Sequence, residues 1–435
     1  MGRDGPLRSG GKILSTAVPT GRRPDTFQLA RDWRFILATF AATGVGYLGS
    51  NVGPVIVQAL IDSGMRHQQA GDLGTIELLT LAICTMLVAP LVPRVSHRKL
   101  AVGGALIAAL GTAISALSVS YAAMILGRIV IGVGSGLAIA GANAAVSARE
   151  DAERIFAIIW TLGGGITVGV AVFLPLVVEG GAYGLGYCVL LLLCIAALPL
   201  VFWLPAKPQS FGTDTSAPGA IASDEVSDAV GEVRDGLSHG RAGPFSPLAL
   251  LILLGIFIYS IAEQALWQFS YDIAVDHGIA YDDVRYVLGV ATFAGLTGGA
   301  LAAWLGLRWR RLVPLVLGCL VSLAGRWLYL EATTTETLVA ATLLWGVGFY
   351  FVGPYQIGLA AALDRRGRVA VAAAAAINLG YGLGPTLGGR LRQYQMDHGL
   401  DSDLLVAVIV GTTVLSLLLL LPAALRLERS AGSSE

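Results

Sequence analysis

A few ionisable side chains lie inside long apolar stretches of the sequence, where an unpaired charge is costly. Glu263 lies about 17 residues into the stretch 246–275, and Tyr259 and Trp267 share its helical face by spacings of four. Burial disfavours the ionised carboxyl, so Glu263 could take up and release a proton. The alternative is a buried acid whose hydrogen bonds only fix helix packing.

Arg128 lies one or two turns from the end of its apolar stretch, and the three glycines that follow it let a neighbouring helix approach. Glu77 lies at a similar depth in another stretch and is a candidate partner. Arg128 could instead extend its side chain to the membrane surface. Arg326 neighbours Trp327 and Tyr329, which could belong to an aromatic belt at the membrane surface. The Arg326 side chain is therefore expected to extend to that surface.

Twelve apolar stretches position these side chains, and most are about 20 residues long or longer. Since about 20 helical residues cross the hydrocarbon core of a bilayer, they predict an all-α polytopic membrane protein. The expected spans are 35–61, 74–93, 101–120, 121–147, 154–178, 182–204, 246–275, 282–307, 312–331, 337–363, 368–391 and 402–425.

The positive charges fall on alternate connections between these spans. Of the 29 Lys and Arg residues, 23 lie on the side of the two termini and three in the opposite loops. Because basic residues are retained in the cytoplasm, both termini are expected there. Arginine outnumbers lysine 26 to 3, which is typical of a GC-rich bacterial genome and favours the bacterial cytoplasmic membrane.

Composition excludes several classes of protein. A hydrophobic fraction of 55%, a charged fraction of 13% and a mean hydropathy of +0.71 do not suit a soluble domain of 435 residues. A formal net charge of zero gives no general attraction to nucleic acid. The cysteines lie inside apolar spans and are expected to be small buried hydrophobes, without a disulfide or a metal site: Cys84, Cys188, Cys194 and Cys319.

A polar segment rich in Ser, Gly, Pro and acids divides the spans into two sets of six and is expected to be a flexible linker. The expected organisation is an N-terminal tail (1–34), a six-helix bundle (35–204), a cytoplasmic linker (205–245), a second six-helix bundle (246–425) and a C-terminal tail (426–435).

The two halves share sequence features. The basic connection 93–99 corresponds to 306–311, and Gly132-Val133-Gly134 corresponds to Gly346-Val347-Gly348. Parallel six-span repeats of this kind build one large class of alternating-access carriers. The segment Arg128-x-x-x-Gly132 and the basic loop 93–99, with Pro93 where the family pattern has an acid, resemble motifs of the major facilitator superfamily.

The resemblance implies a central cavity lined by spans one, four, seven and ten, and a part for Arg128 in coupling or proton movement. The basic loop would contribute a cytoplasmic gate through Arg94, Arg98 and Lys99, although Pro93 removes the usual acid. The polar side chains expected to line the cavity are Asn51, Gln58, Asn143, Tyr259, Gln264, Trp267, Gln268, Tyr350, Tyr355 and Gln356. Any one of them could equally be a helix–helix hydrogen-bonding residue.

These features predict a secondary active transporter that is neither an enzyme nor a cofactor-binding protein. The expected activity is proton-coupled uptake of a small organic solute, aromatic or amphipathic, through Glu263, Arg128 and Glu77 in a functional monomer within the lipid bilayer. Proton-driven efflux of drug-like compounds remains open, because a cavity of aromatic and amide side chains suits such compounds equally well. The segment 380–389 in span eleven matches an antiporter-type pattern of glycines and a proline that the family carries on span five. A transport-inactive sensor or a membrane enzyme is the alternative from another class.

Overall fold

The computed structural model describes residues 29–147, 149, 152–206, 246–306, 308–363, 368–400 and 403–432. The expected linker and N-terminal tail lie almost entirely outside these residues. Thirteen α-helices follow one another in the described part: α1 (Leu29–Asn51), α2 (Gly53–Asp62), α3 (His67–Val88), α4 (His97–Leu117), α5 (Tyr121–Ser147), α6 (Ala152–Val178), α7 (Tyr183–Val201), α8 (Pro247–Asp276), α9 (Tyr281–Leu305), α10 (Leu312–Leu330), α11 (Thr335–Leu363), α12 (Arg368–His398) and α13 (Asp403–Gly432).

Most of these helices could cross a bilayer. Among the described residues, eight are long and apolar enough by themselves, and the bent pair α1 and α2 makes a ninth span. Helices α6, α9 and α12 have 27, 25 and 31 residues; α6 and α9 carry charged residues near one end and α12 near both ends. With these three counted, the helices are consistent with the twelve spans expected from the sequence.

The first span is broken where the sequence predicts one continuous helix. The axes of α1 and α2 differ by 42°, and Pro54 occupies the first turn of α2. Proline has no N–H and cannot donate to the carbonyl four residues earlier, which belongs to Ser50. The break therefore frees the Ser50 carbonyl for another donor.

Antiparallel neighbours place the helix connections at two ends of the bundle. The end called basic here carries Arg94, Arg98, Lys99, Arg308, Arg310 and Arg311. The opposite end, called acidic, carries Asp62, Asp72, Asp272, Asp276, Asp282 and Asp283.

The two halves, α1–α7 and α8–α13, are each packed internally, and three helix pairs make the most extensive contacts between them. Helix α3 packs on α12, α6 on α9, and α2 on α8. One apolar cluster contains residues of both halves, among them Leu60 and Tyr187 with Leu266 and Tyr329 near the acidic end. Every other apolar cluster in the described part lies within one half.

Glycines let α12 approach α8 closely. Gly380, Gly384 and Gly388 are four residues apart and face α8, where added Cβ atoms would lie 2.6 to 2.8 Å from backbone atoms of Phe257 and Ala265. Close backbone approach at small residues is a common way to join membrane helices. The glycine and proline pattern at 380–389 thus serves helix packing in this fold.

Candidate functional site

A buried ion pair lies inside the first half. The Arg128 guanidinium on α5 donates to the Glu77 carboxylate on α3 and to the Tyr187 hydroxyl on α7, and its carbon lies 5.1 Å from the centre of the Tyr187 ring. All three side chains are buried. The expected partner Glu77 is therefore in contact with Arg128, and Tyr187 is a third member that the sequence did not indicate.

Glycines make room for this pair. A Cβ atom at Gly49 of α1 would collide with the Glu77 carboxylate, and one at Gly132 would lie 2.6 Å from the Glu77 carbonyl. A cavity of about 20 Å³, the size of about one water molecule, lies beside Arg128 and Glu77 and is lined by α1, α2, α3, α4, α5 and α7. The pair and its cavity belong to the first half alone.

A second buried ion pair lies inside the other half. The Glu263 carboxylate on α8 accepts from the Arg326 guanidinium on α10 and, at 2.7 Å, from the Trp345 indole on α11. Arg326 also donates to Thr413 on α13 at 3.0 Å and lies over the Tyr259 ring at 4.5 Å. Glu263 thus joins four helices of the second half.

The expectation for Arg326 was wrong. Its side chain is 0% exposed and does not reach the membrane surface. A fully buried guanidinium needs a counter-charge and hydrogen-bond acceptors, and Glu263 and Thr413 supply them. Its neighbours Trp327 and Tyr329 resemble an aromatic belt in sequence, but Tyr329 is buried and donates to the Ser270 carbonyl.

The polar residues expected around a cavity separate into groups. Trp267 donates from its indole nitrogen to the Ser50 carbonyl across the two halves at 3.2 Å. Gln268 lies against Gly53: a Cβ atom added to Gly53 would be 3.0 Å from the side-chain amide carbon of Gln268. The Gln264 side chain donates to the Gln268 side chain at 3.4 Å. These side chains therefore meet the break between α1 and α2.

Other members of the set bond within their own half. Gln58 donates to Asp62 at 2.8 Å, Tyr259 to Ser322 at 3.0 Å, and Tyr355 to the Gly306 carbonyl at 3.0 Å. Gln356 is buried, and its amide nitrogen has no hydrogen-bond partner among the described residues. The remaining three, Asn51, Asn143 and Tyr350, are half-buried.

The basic loop packs on its own half. Arg98 donates to the Leu204 carbonyl beyond the end of α7 at 2.6 Å, and the Ser96 hydroxyl accepts from the Lys99 backbone at 3.5 Å. Arg94 ends a 3₁₀ turn at Ala89–Arg94 and is exposed. Within the described part of the chain, neither Arg94, Arg98 nor Lys99 forms an ion pair.

Polar contacts between the halves gather towards the acidic end. The Thr386 backbone of α12 donates to the Thr75 hydroxyl of α3 at 2.9 Å, and the Thr386 hydroxyl donates to Asp72 at 2.7 Å. Arg285 of α9 donates to the Val172 carbonyl of α6 at 3.1 Å.

The acidic end also carries an ionic cluster. His67 contacts Asp272 of α8 at 3.1 Å, and Arg392 of α12 pairs with Asp272 at 2.8 Å and with Asp276 at 3.1 Å. This cluster was not predicted from the sequence. Its only sequence signal was that Arg392 is one of the few basic residues on the side otherwise poor in them.

Comparison with known proteins identifies the architecture. The family model of the Major Facilitator Superfamily matches residues 35–388. The chain is similar to the crystal structure of a bacterial homolog to the human lysosomal transporter Spinster, inward-facing and occupied, with a TM-score of 0.65 and 15% identity over 91% of this chain and 96% of that one.

A crystal structure of a D-xylose-proton symporter gives a TM-score of 0.63 and 16% identity over 88% of this chain and 96% of that one. None of the curated proteins matches the sequence. At these identities the solved structures show the fold alone. The predicted all-α polytopic fold is thereby confirmed, and the described helices are consistent with two six-helix halves.

Proposed function

The chain belongs to the Major Facilitator Superfamily and is a transporter, and from that premise we propose proton-coupled uptake of a small organic solute across a bacterial cytoplasmic membrane. The solute would move by alternating access, in which the two six-helix halves rock about a site between them. No nucleic acid, metal or cofactor takes part in this mechanism, and one chain suffices for it.

The position of the contacts between the halves carries the proposal. The halves share one apolar cluster towards the acidic end, whereas the clusters nearer the basic end stay within one half. If the basic end is cytoplasmic, as its arginines favour, this arrangement corresponds to an inward-facing carrier. Rocking would then have to separate the contacts at the acidic end.

Glu263 is the proposed proton site. Its carboxylate binds donors on α10 and α11, so a proton on Glu263 would remove the charge that both donors face. Arg326 would keep Thr413 and the Tyr259 ring as partners. Protonation would thereby change the packing of the second half, which is how a proton gradient could bias the two conformations. Arg128 and Glu77 are the proposed counterpart in the first half.

The solute is proposed to be aromatic or amphipathic with little net charge. Trp267 and Gln268 offer an indole and an amide where the halves meet. The charges of Arg128 and Arg326 are already compensated by Glu77 and Glu263. Ligand sites of this kind combine apolar walls with a few polar groups. A strongly charged solute would lack a free counter-charge among these residues.

Transport by reconstituted protein tests the proposal. A thermal-shift screen of the purified chain against uncharged aromatics, sugars, nucleosides and organic acids would supply a binding solute. Proteoliposomes with an imposed pH gradient should then accumulate it. The Glu263→Gln variant keeps the shape of the side chain but cannot titrate, so accumulation should fall at least about tenfold while solute binding is retained.

Glu336→Gln is the matched control, because Glu336 is exposed in the first turn of α11. It should accumulate solute like the parent. Accumulation at the parental level by Glu263→Gln would exclude Glu263 as the proton site. Reversing the pH gradient distinguishes uptake from proton-driven efflux.

A further inference from the structure

One histidine–carboxylate contact joins the two halves. Within the described part of the chain, every arginine–carboxylate ion pair connects residues of the same half, whereas His67 of α3 contacts Asp272 of α8 across them and forms an ion pair with it when protonated. The exposed fractions of the two side chains are 13% and 7%. The Phe269 ring stacks on the imidazole with 6.4 Å between ring centres. Any motion that separates the halves at this end must break the pair.

Three charged side chains form one cluster with His67. Asp272 and Asp276 bring two negative charges and Arg392 brings one positive charge, so the cluster has a formal charge of −1 while His67 is neutral. A proton on His67 makes the sum zero and turns its hydrogen bond with Asp272 into an ion pair, which is the stronger interaction.

Other ionisable groups lie near His67 on three elements. On α12, the exposed Arg390 follows Gly389, whose added Cβ would be 2.5 Å from the His67 carbonyl. Arg66 directly precedes α3 and Asp72 lies in its second turn, and the two offset each other in formal charge. Tyr121 of α5 approaches α3 through the Gln69 carbonyl at 3.5 Å and is uncharged at neutral pH.

We propose that His67, Asp272, Arg392 and Asp276 form a proton-binding latch that holds the acidic end closed. The proton binds His67 between the two halves. In the closed state it has Asp272 as a partner, and in the open state it loses that partner because α3 and α8 move apart. Protons therefore stabilise the closed state by differential binding.

The latch adds regulation to the proposed transport cycle and rests on that function for its biological meaning. It lies at the end predicted to face outward, so an acidic exterior would keep the carrier closed on that side. This proton is not carried across the membrane. It sets the fraction of molecules able to open outward.

Distance measurement between spin labels tests the latch without a solute. Labels would be placed at Gln68→Cys on α3 and Met396→Cys on α12, two exposed positions in different halves, with the four native cysteines replaced by serine. Between about pH 8 and about pH 5.5, a range in which histidine titrates, the ratio of short to long distances should rise about tenfold, a usual size for such coupling.

Two variants and one control make the result specific. His67→Gln and Asp272→Asn should each abolish the pH dependence, and both should show more of the long distance at acidic pH than the parent. His277→Gln should behave like the parent, because His277 bonds to the Ala332 carbonyl within the second half. The same distance ratio at both pH values in the parent, or an unchanged pH response in His67→Gln, would overturn the latch.

The two proposals can fail separately. A pH-insensitive distance in a chain that still accumulates solute rejects the latch alone. A pH-sensitive distance in a chain that transports nothing leaves the latch standing and rejects the proposed function.

Discussion

Two buried ion pairs of this protein each form within one half. Arg128 pairs with Glu77 in the first half and Arg326 with Glu263 in the second. A charged side chain in hydrocarbon is tolerated when it is paired and hydrogen-bonded. Sequence reasoning found Arg128 and Glu77 by their matching depth, but it misplaced Arg326 because aromatic neighbours in sequence do not reveal which way a helix faces.

Removing one member of a buried ion pair should destabilise the fold more than replacing both members. Arg128→Met leaves the Glu77 carboxylate buried without its counter-charge, which should destabilise the fold by about 3 to 5 kcal/mol, whereas replacing both partners by apolar residues is often nearly neutral. Thermal unfolding in detergent should therefore show a large loss for Arg128→Met and a much smaller one for Arg128→Met with Glu77→Leu.

An exposed arginine serves as the comparison. Arg429→Met near the end of α13 should unfold like the parent. A double variant as unstable as Arg128→Met alone would show that the buried pair is not the source of the loss.

At the scale of the helix, the break in the first span is coupled to the other half. Pro54 leaves the Ser50 carbonyl without its helical donor, and the Trp267 indole bonds to it at 3.2 Å. The sequence predicted a continuous span at 35–61, because hydropathy does not register a bend. The proline was visible in the sequence, but the donor that compensates it comes from residue 267 and follows only from the tertiary structure.

This coupling can be measured as a double-mutant cycle. Trp267→Phe keeps an aromatic ring but removes the donor. Because Ser50 is half-buried, the loss of this bond should cost about 1 kcal/mol, the lower end of the range for a buried carbonyl. Pro54→Ala restores a backbone N–H that can bond to Ser50. Trp267→Phe should therefore lower the unfolding temperature more in the parent than in the Pro54→Ala background. Equal losses in both backgrounds would mean that the indole bond and the proline are independent.

At the scale of the whole molecule, the sequence was sufficient for the architecture. Long apolar stretches and the distribution of basic residues predicted spans and two halves, because both follow from the thickness and charge preference of the bilayer. They could not predict which end of the bundle is closed. That depends on contacts between distant residues, such as Thr386 with Asp72 and Thr75, for which the sequence carries no local pattern.

The roles of the individual side chains are less predictable than the fold. Tyr355 and Trp267 both looked like cavity residues by helix position, yet Tyr355 bonds within its own half and Trp267 bonds across the halves. The helical face on which a residue lies indicates that its side chain is buried. It does not indicate which neighbouring helix that side chain contacts. The function proposed for Glu263 and the latch at His67 therefore rest on contacts that only the tertiary structure supplies.

In the proposed transport cycle the two halves must separate at the acidic end, and a reversible cross-link between them should therefore stop transport. The side chains of Asp72 and Thr386 are 2.7 Å apart across the halves, and those of Asp283 and Thr335 are 2.6 Å apart within the second half. The measurement is solute accumulation in proteoliposomes by the D72C/T386C and D283C/T335C variants, each with the native cysteines replaced by serine, before and after oxidation. Oxidation should abolish accumulation by D72C/T386C, a reductant should restore it, and D283C/T335C should keep transporting when oxidised. Undiminished accumulation by fully cross-linked D72C/T386C would contradict the account.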